Sequence, residues 1–185
     1  MALVYTPEAQ IGQRCPAFRL PSVQGGDFDS QSLPENRPFL VMFICNHCPY
    51  VKAIEDRLIQ LGQDCAAWKI PVIAISSNDP EDYPEDSFEM LGQRAREKAY
   101  PFIYLFDESQ EVARAFGAVC TPDFFLYDSS RSLVYRGRLD DSWKNPERVQ
   151  KQELREAIER VLQQAAPIPA SEQIPSMGCS IKWKE

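Results

Sequence analysis

The sequence predicts an α/β protein of three layers, α/β/α, built on a central mixed sheet, with an N-terminal hairpin extension and a C-terminal tail. Three observations point there. The apolar runs at 38–45, 70–76 and 101–106 are almost unbroken, which suits strands buried on both faces. Stretches with apolar residues at helical spacing separate them. Two further strands, at 123–127 and 133–136, are joined only by Asp128-Ser129-Ser130-Arg131, so they pair as an antiparallel hairpin.

Each element has its own signal. Ala17-Phe18-Arg19-Leu20 and the stretch after Gln24-Gly25-Gly26-Asp27 form a short hairpin around a glycine turn. Pro38-Phe39-Leu40-Val41-Met42-Phe43-Ile44-Cys45 is the first buried strand. A helix follows from Pro49, since proline suits the first helical position, and Val51, Ile54, Leu58 and Leu61 fall on one face. The strand at 70–76 stops at Ser77-Asn78-Asp79-Pro80. A helix over 86–98 turns Phe88, Leu91 and Ala95 inward, and the strand at 101–106 follows. A short helix runs from a Ser109 cap to a glycine stop at Gly117. Asp140-Asp141 is expected as a solvated turn. The last helix is expected from Asn145-Pro146, with Val149, Leu154, Ile158, Val161 and Leu162 inward, and Pro167 and Pro169 end it. The chain then reads as one domain over 1–185: extension 1–36, core 37–166, tail 167–185.

Composition excludes several classes. Twenty basic against 27 acidic residues leave a net charge of −7, unsuited to nucleic-acid phosphates. No apolar run approaches the ~20 residues that span a bilayer. The start, Met1-Ala2-Leu3-Val4-Tyr5, has neither the basic nor the apolar region of a signal peptide, so a cytoplasmic location is expected. Six cysteines stand at 15, 45, 48, 65, 120 and 179. In a chain long enough to form a core without staples, they point to redox catalysis, metal binding or buried inert thiols.

The chemistry gathers at Cys45-Asn46-His47-Cys48-Pro49-Tyr50-Val51, between a strand and a helix. Cys48 precedes the helix start, where unpaired N–H groups and the positive end of the helix dipole favour a thiolate. Such a sulfur suits disulfide exchange or attack on a peroxide.

These residues carry a resemblance. Cys48-Pro49-Tyr50-Val51 is similar to the glutaredoxin Cys-Pro-Tyr-Cys with its second cysteine replaced. The strand leading into Cys48 is similar to the thioredoxin strand before its active-site pair. Cys120-Thr121-Pro122-Asp123-Phe124-Phe125-Leu126-Tyr127-Asp128 resembles the segment holding that family's cis-proline. The hairpin at Gly25-Gly26, Ser77-Asn78-Asp79 with Tyr83-Pro84-Glu85-Asp86-Ser87, Tyr135-Arg136-Gly137-Arg138, and Gly178-Cys179-Ser180-Ile181-Lys182-Trp183 resemble a bacterial peroxiredoxin-like branch of the alkyl hydroperoxide reductase/thiol-specific antioxidant group.

The resemblance implies a thioredoxin-like fold, a cis Thr121-Pro122 bond, and a thiol-dependent oxidoreductase with Cys48 as nucleophile. Its substrate would be a protein disulfide or a peroxide, with an external thiol as electron donor and no cofactor. A homodimer is allowed; no nucleic acid or membrane partner is expected. Val51 stands where the second cysteine of the pair usually lies, and Met42 where the family has a buried acid. Cys45, Cys120 and Cys179 are therefore the candidates to regenerate Cys48. His47, Pro49, Tyr50, Thr121 and Pro122 are the candidates to contact substrate, with His47 also placed to tune Cys48. Cys15 and Cys65 are expected in the core. Two other readings remain: a soft-metal site from Cys45, His47, Cys48 and Cys120, and a non-catalytic interaction module.

Overall fold

The computed structural model describes residues 3–184; Met1, Ala2 and Glu185 lie outside the described residues. Along the chain come β1 (Leu3–Tyr5), the hairpin β2 (Arg19–Pro21) and β3 (Asp27–Asp29), β4 (Phe39–Phe43), α1 (Pro49–Ala67), β5 (Val72–Ser76) and α2 (Phe88–Glu97). Then follow β6 (Ile103–Phe106), α3 (Glu111–Phe116), β7 (Cys120–Thr121), β8 (Asp123–Tyr127), β9 (Leu133–Tyr135), α4 (Glu153–Leu162) and β10 (Met177–Ser180).

The central sheet has the order β6-β5-β4-β8-β9. β4 pairs parallel with β5, and β5 with β6, while β4–β8 and β8–β9 are antiparallel. The strand period of two explains why β4 is buried throughout. Leu40 and Met42, with Ile44 beyond the strand, pack with Val51, Ile54 and Leu58 of α1, Leu91 of α2 and Leu154 and Ile158 of α4. Phe39, Val41 and Phe43 point the other way, onto Phe116 of α3, Phe18 and Leu20 of the hairpin region, and Ile181. Each fully buried side chain of this kind contributes roughly 1.5–3 kcal/mol. The fold is the expected thioredoxin-like α/β/α arrangement around a mixed sheet.

Several details differ from expectation. The last helix starts at Glu153, not near Asn145. Pro146–Arg148 is only a single tight turn, and Asp141 then holds the next segment extended by accepting from the Gln150 N–H at 2.9 Å. Val149 thus falls outside the helix, and Leu162 is exposed. Phe88 is exposed as well, at the first turn of α2. Asp140 is not solvated: it is buried and paired with Arg57 from α1. Trp183 is partly exposed, with the Arg114 guanidinium 4.3 Å from its ring centre.

The tail is the largest difference. β10 is the middle strand of a second sheet, β1-β10-β7, antiparallel to both neighbours. Bonds on either side pin it. Ser176 Oγ donates to the Pro122 carbonyl at 2.8 Å. The Ile181 N–H donates to Val119 O at 3.0 Å, and the Lys182 N–H to Asn78 Oδ1 at 2.8 Å. Among the described residues, no helix is long and apolar enough to cross a membrane.

Candidate functional site

β4 and the start of α1 aim the nucleophile candidate. After Phe43 the chain leaves the sheet, and Cys48 becomes the N-cap of α1 with extended backbone (φ −65°, ψ 121°), Pro49 following as the first helical residue. Proline suits that position because the N–H it lacks would have no partner in the helix. Cys48 has 0% of its surface exposed. The Thr121-Pro122 bond is cis. As a thiol, Cys48 donates to the Thr121 carbonyl at 3.2 Å.

The sulfurs divide sharply by acidity. Cys48 is brought down from 9.0 to about 5. The largest cause is a hydrogen bond from the Cys45 thiol, which outweighs the cost of burial; the Cys179 and Val51 backbone N–H groups and the Thr121 side chain pull the same way. This is how a helix start generates a reactive thiolate. Cys45 goes the opposite way: burial first, then its bond to Cys48, pushes it well above the usual thiol range. Cys45 thus serves as proton donor to the Cys48 thiolate. Its Sγ also lies 3.3 Å from Thr121 Oγ1 and 3.7 Å from His47 Nδ1.

Cys179 is brought to Cys48 by β10. It bonds Cys48 through its side chain, and burial raises it to about 11. Cys120 sits in the neighbouring strand but turns its Sγ to the Pro122 carbonyl at 3.8 Å, and burial raises it strongly. Cys15 and Cys65 lie elsewhere, each raised to about 12 by burial.

The hydrogen bonds of His47 go to Asp86 and Cys45. Its Nδ1 hydrogen-bonds Asp86 beside Cys45, its ring stacks on Tyr83 at 4.5 Å, and its Nε2 is buried without a partner. Asp86, with 0% exposure, is the residue that sequence reasoning left without a role. Its Oδ1 accepts from the Asn46 and His47 backbone N–H groups at 2.7 and 3.2 Å, and its Oδ2 from the Asn78 amide at 2.8 Å. A buried acid thus lies beside Cys45 and His47, while Met42 occupies the position where the resemblance implies one. The signal was the turn chemistry of Tyr83-Pro84-Glu85-Asp86-Ser87. It forms a tight turn at Pro84–Asp86 that carries Asp86 inward.

Tyr50 points into an adjacent groove of about 260 Å³, with Pro122, Trp143 and Met177 among its walls, and its ring lies 4.4 Å from that of Trp143. Ligand atoms of Cys45, His47 and Asp86 lie within 4.8 Å of one another, close enough to consider a metal. The donors do not fit one well. Both Asp86 oxygens are already taken by the two backbone N–H groups, His47 and Asn78.

The fold and the cysteine cluster define a thioredoxin-like protein, and the comparisons agree. Residues 11–136 match the AhpC/TSA family, and the chain belongs to that family. An uncharacterized conserved protein from Geobacillus kaustophilus is 42% identical, with a TM-score of 0.92, over 100% of this chain and 97% of that one. A hypothetical protein from Sinorhizobium meliloti 1021 is 39% identical, with a TM-score of 0.89, over 97% of this chain and 98% of that one. A secreted disulfide oxidoreductase of Mycobacterium tuberculosis shares the fold at 18% identity and a TM-score of 0.58, over 79% of this chain and 95% of that one. No curated protein matches. Membership of the family supports a thiol-redox role.

Proposed function

We propose that the protein is a thiol-dependent oxidoreductase in which Cys48 reduces a disulfide or a peroxide. The observation that carries the reading is a Cys48 sulfur held near a pKa of about 5 by the Cys45 thiol at the start of α1, with Cys179 in contact as a further thiol. With a peroxide, the Cys48 thiolate attacks one oxygen, the O–O bond breaks, and the other oxygen leaves as an alcohol or water after taking a proton. The sulfenic acid left on Cys48 then condenses with a second thiol, releasing water and forming a disulfide. With a disulfide, Cys48 attacks one sulfur and the other leaves as a thiolate; the second thiol then displaces the mixed disulfide. In either case an external thiol donor returns two electrons. A compartment that keeps thiols reduced, such as the cytoplasm, suits this cycle.

The test is alkylation by iodoacetamide across pH 4–9, followed residue by residue by mass spectrometry. Cys48 should reach half its maximal rate near pH 5, and the other five cysteines only at far higher pH. Half-reactivity of Cys48 at pH 8 or above would overturn the reading. The same shift has a stability consequence. Cys48 is an acid whose folded value is depressed, so its thiolate stabilises the reduced fold in full above about pH 9. That contribution fades as pH falls and is gone below about 5.

A further inference from the structure

β10 lies across the site, and its details suit one role. It runs antiparallel to β7, with Cys179 opposite Thr121 and Ser180 opposite Cys120. Thr121 is also the residue whose carbonyl faces Cys48 Sγ at 3.2 Å. The chain's own C-terminal strand therefore sits on the backbone edge beside the nucleophile, as an added peptide strand would. Gly178 makes this approach possible: a Cβ there would stand 1.8 Å from Thr121 O and 2.6 Å from Thr121 C, positions that no side chain can share. The edge accepts a strand with glycine immediately before its cysteine, and β10 supplies that pair.

We propose that β10 is a tethered partner strand that delivers Cys179 as the thiol resolving intermediates formed on Cys48. This rests on Cys48 being the nucleophile and names the thiol that the reading above leaves open. Cys179 touches Cys48 through its side chain and supplies a backbone N–H to it. Cys45 also touches Cys48, but its sulfur is engaged by Thr121 Oγ1 and His47. It acts as the donor that holds the Cys48 thiolate. Cys120 is turned to Pro122 O. In the resolving step the Cys179 sulfur attacks Cys48 sulfur, expelling water from a sulfenic acid or a thiol from a mixed disulfide. The Cys179 proton leaves with the departing group. A corollary concerns larger substrates: an external chain can pair with the Thr121 edge only after β10 has left it.

The experiment is a disulfide map of the full chain. Reduced protein is treated with one equivalent of hydrogen peroxide or of 2-hydroxyethyl disulfide, quenched and digested for mass spectrometry. Wild type should give a single Cys48–Cys179 bond. Cys45→Ser should form the same bond more slowly, having lost its thiolate donor, and Cys120→Ser should form it unchanged. Cys179→Ser, which keeps the strand, should leave sulfenic acid or mixed disulfide on Cys48. Gly178→Ala keeps all six thiols but unseats the strand. It should slow closure of the bond by about ten-fold or more, while the first attack by Cys48 proceeds. A Cys48–Cys45 or Cys48–Cys120 bond in wild type, unaffected by Cys179→Ser, would overturn the inference and leave the proposed function standing. Cys48 that reacts with neither oxidant would overturn the proposed function itself.

Discussion

Asp86 shows how much one buried carboxylate can organise. Its two oxygens hold the Asn46 and His47 backbone, the His47 ring and the Asn78 amide, and so fix the loop that carries Cys45 and Cys48. A buried donor left without a partner costs about 1–3 kcal/mol. Asp86→Ala is therefore expected to lower stability to urea by about 2–4 kcal/mol, since Asn46 is partly exposed and regains water. Asp86→Asn, which keeps one acceptor oxygen, should lose about half as much. The alkylation profile of Cys48 in Asp86→Ala should also move to higher pH, because the loop no longer holds Cys45 on the thiolate. A loss below about 1 kcal/mol, within the range of an ordinary surface change, would show that the loop is held by something else. Cys48 was legible from its place before a proline-started helix. The role of Asp86 was not, because the loop backbone it binds lies 39–40 residues away in sequence; the turn around Pro84 marked only where the chain bends inward.

At the scale of elements, legibility follows the density of local signal. β4, β5 and β8 are buried at every position and read directly from their unbroken apolar composition. β10 has only Met177-Gly178-Cys179-Ser180, a sequence without alternation, and its neighbours are β1 and β7 from distant parts of the chain. The start of α4 was hidden for another reason. Pro146 marks a helical turn, but Asp141 captures the segment after it, so the apolar spacing from Val149 overstates the helix. α1 sets local preference against packing. Gly62 lies inside it, and a Cβ there would meet Pro101 Cγ at 2.8 Å and Phe102 Cδ1 at 2.9 Å. Alanine would gain about 0.8–1 kcal/mol of helix propensity. Overpacking against a proline ring and a buried phenylalanine costs about 1–3 kcal/mol, so packing wins. Gly62→Ala should destabilise the protein by up to about 2 kcal/mol in urea unfolding. Adding Pro101→Ala should recover part of that loss. A stabilised Gly62→Ala would mean that the α1 contact with the 101–102 segment is looser than these distances indicate.

The whole molecule closes over its own nucleophile. The two ends of the described chain meet in the β1–β10 pair, and β10 in turn lies on the Thr121 edge of β7 beside Cys48. If β10 brings the resolving thiol, oxidation ties the start of α1 to a strand near the C-terminus and closes a loop of about 130 residues. By the chain-entropy relation, such a bond constrains the unfolded chain by about 5 kcal/mol, whereas a Cys45–Cys48 bond, closing about four residues, gives about 2 kcal/mol. Loss of the Cys48 thiolate on oxidation is common to both bonds and cancels in the comparison. Peroxide-oxidised wild type should therefore exceed a Cys45–Cys48 disulfide form by about 3 kcal/mol, or about 6–12 °C in Tm for a chain of this size. The comparison form is Cys179→Ser held in excess 2-hydroxyethyl disulfide, well beyond the single equivalent that leaves a mixed disulfide on Cys48, until mass spectrometry shows the Cys45–Cys48 bond, with reduced samples of both proteins as baselines. Equal gains in the two oxidised proteins would place the bond within the short loop and remove β10 from the redox cycle. A gain confined to wild type would make the C-terminal strand part of the chemistry as well as of the fold.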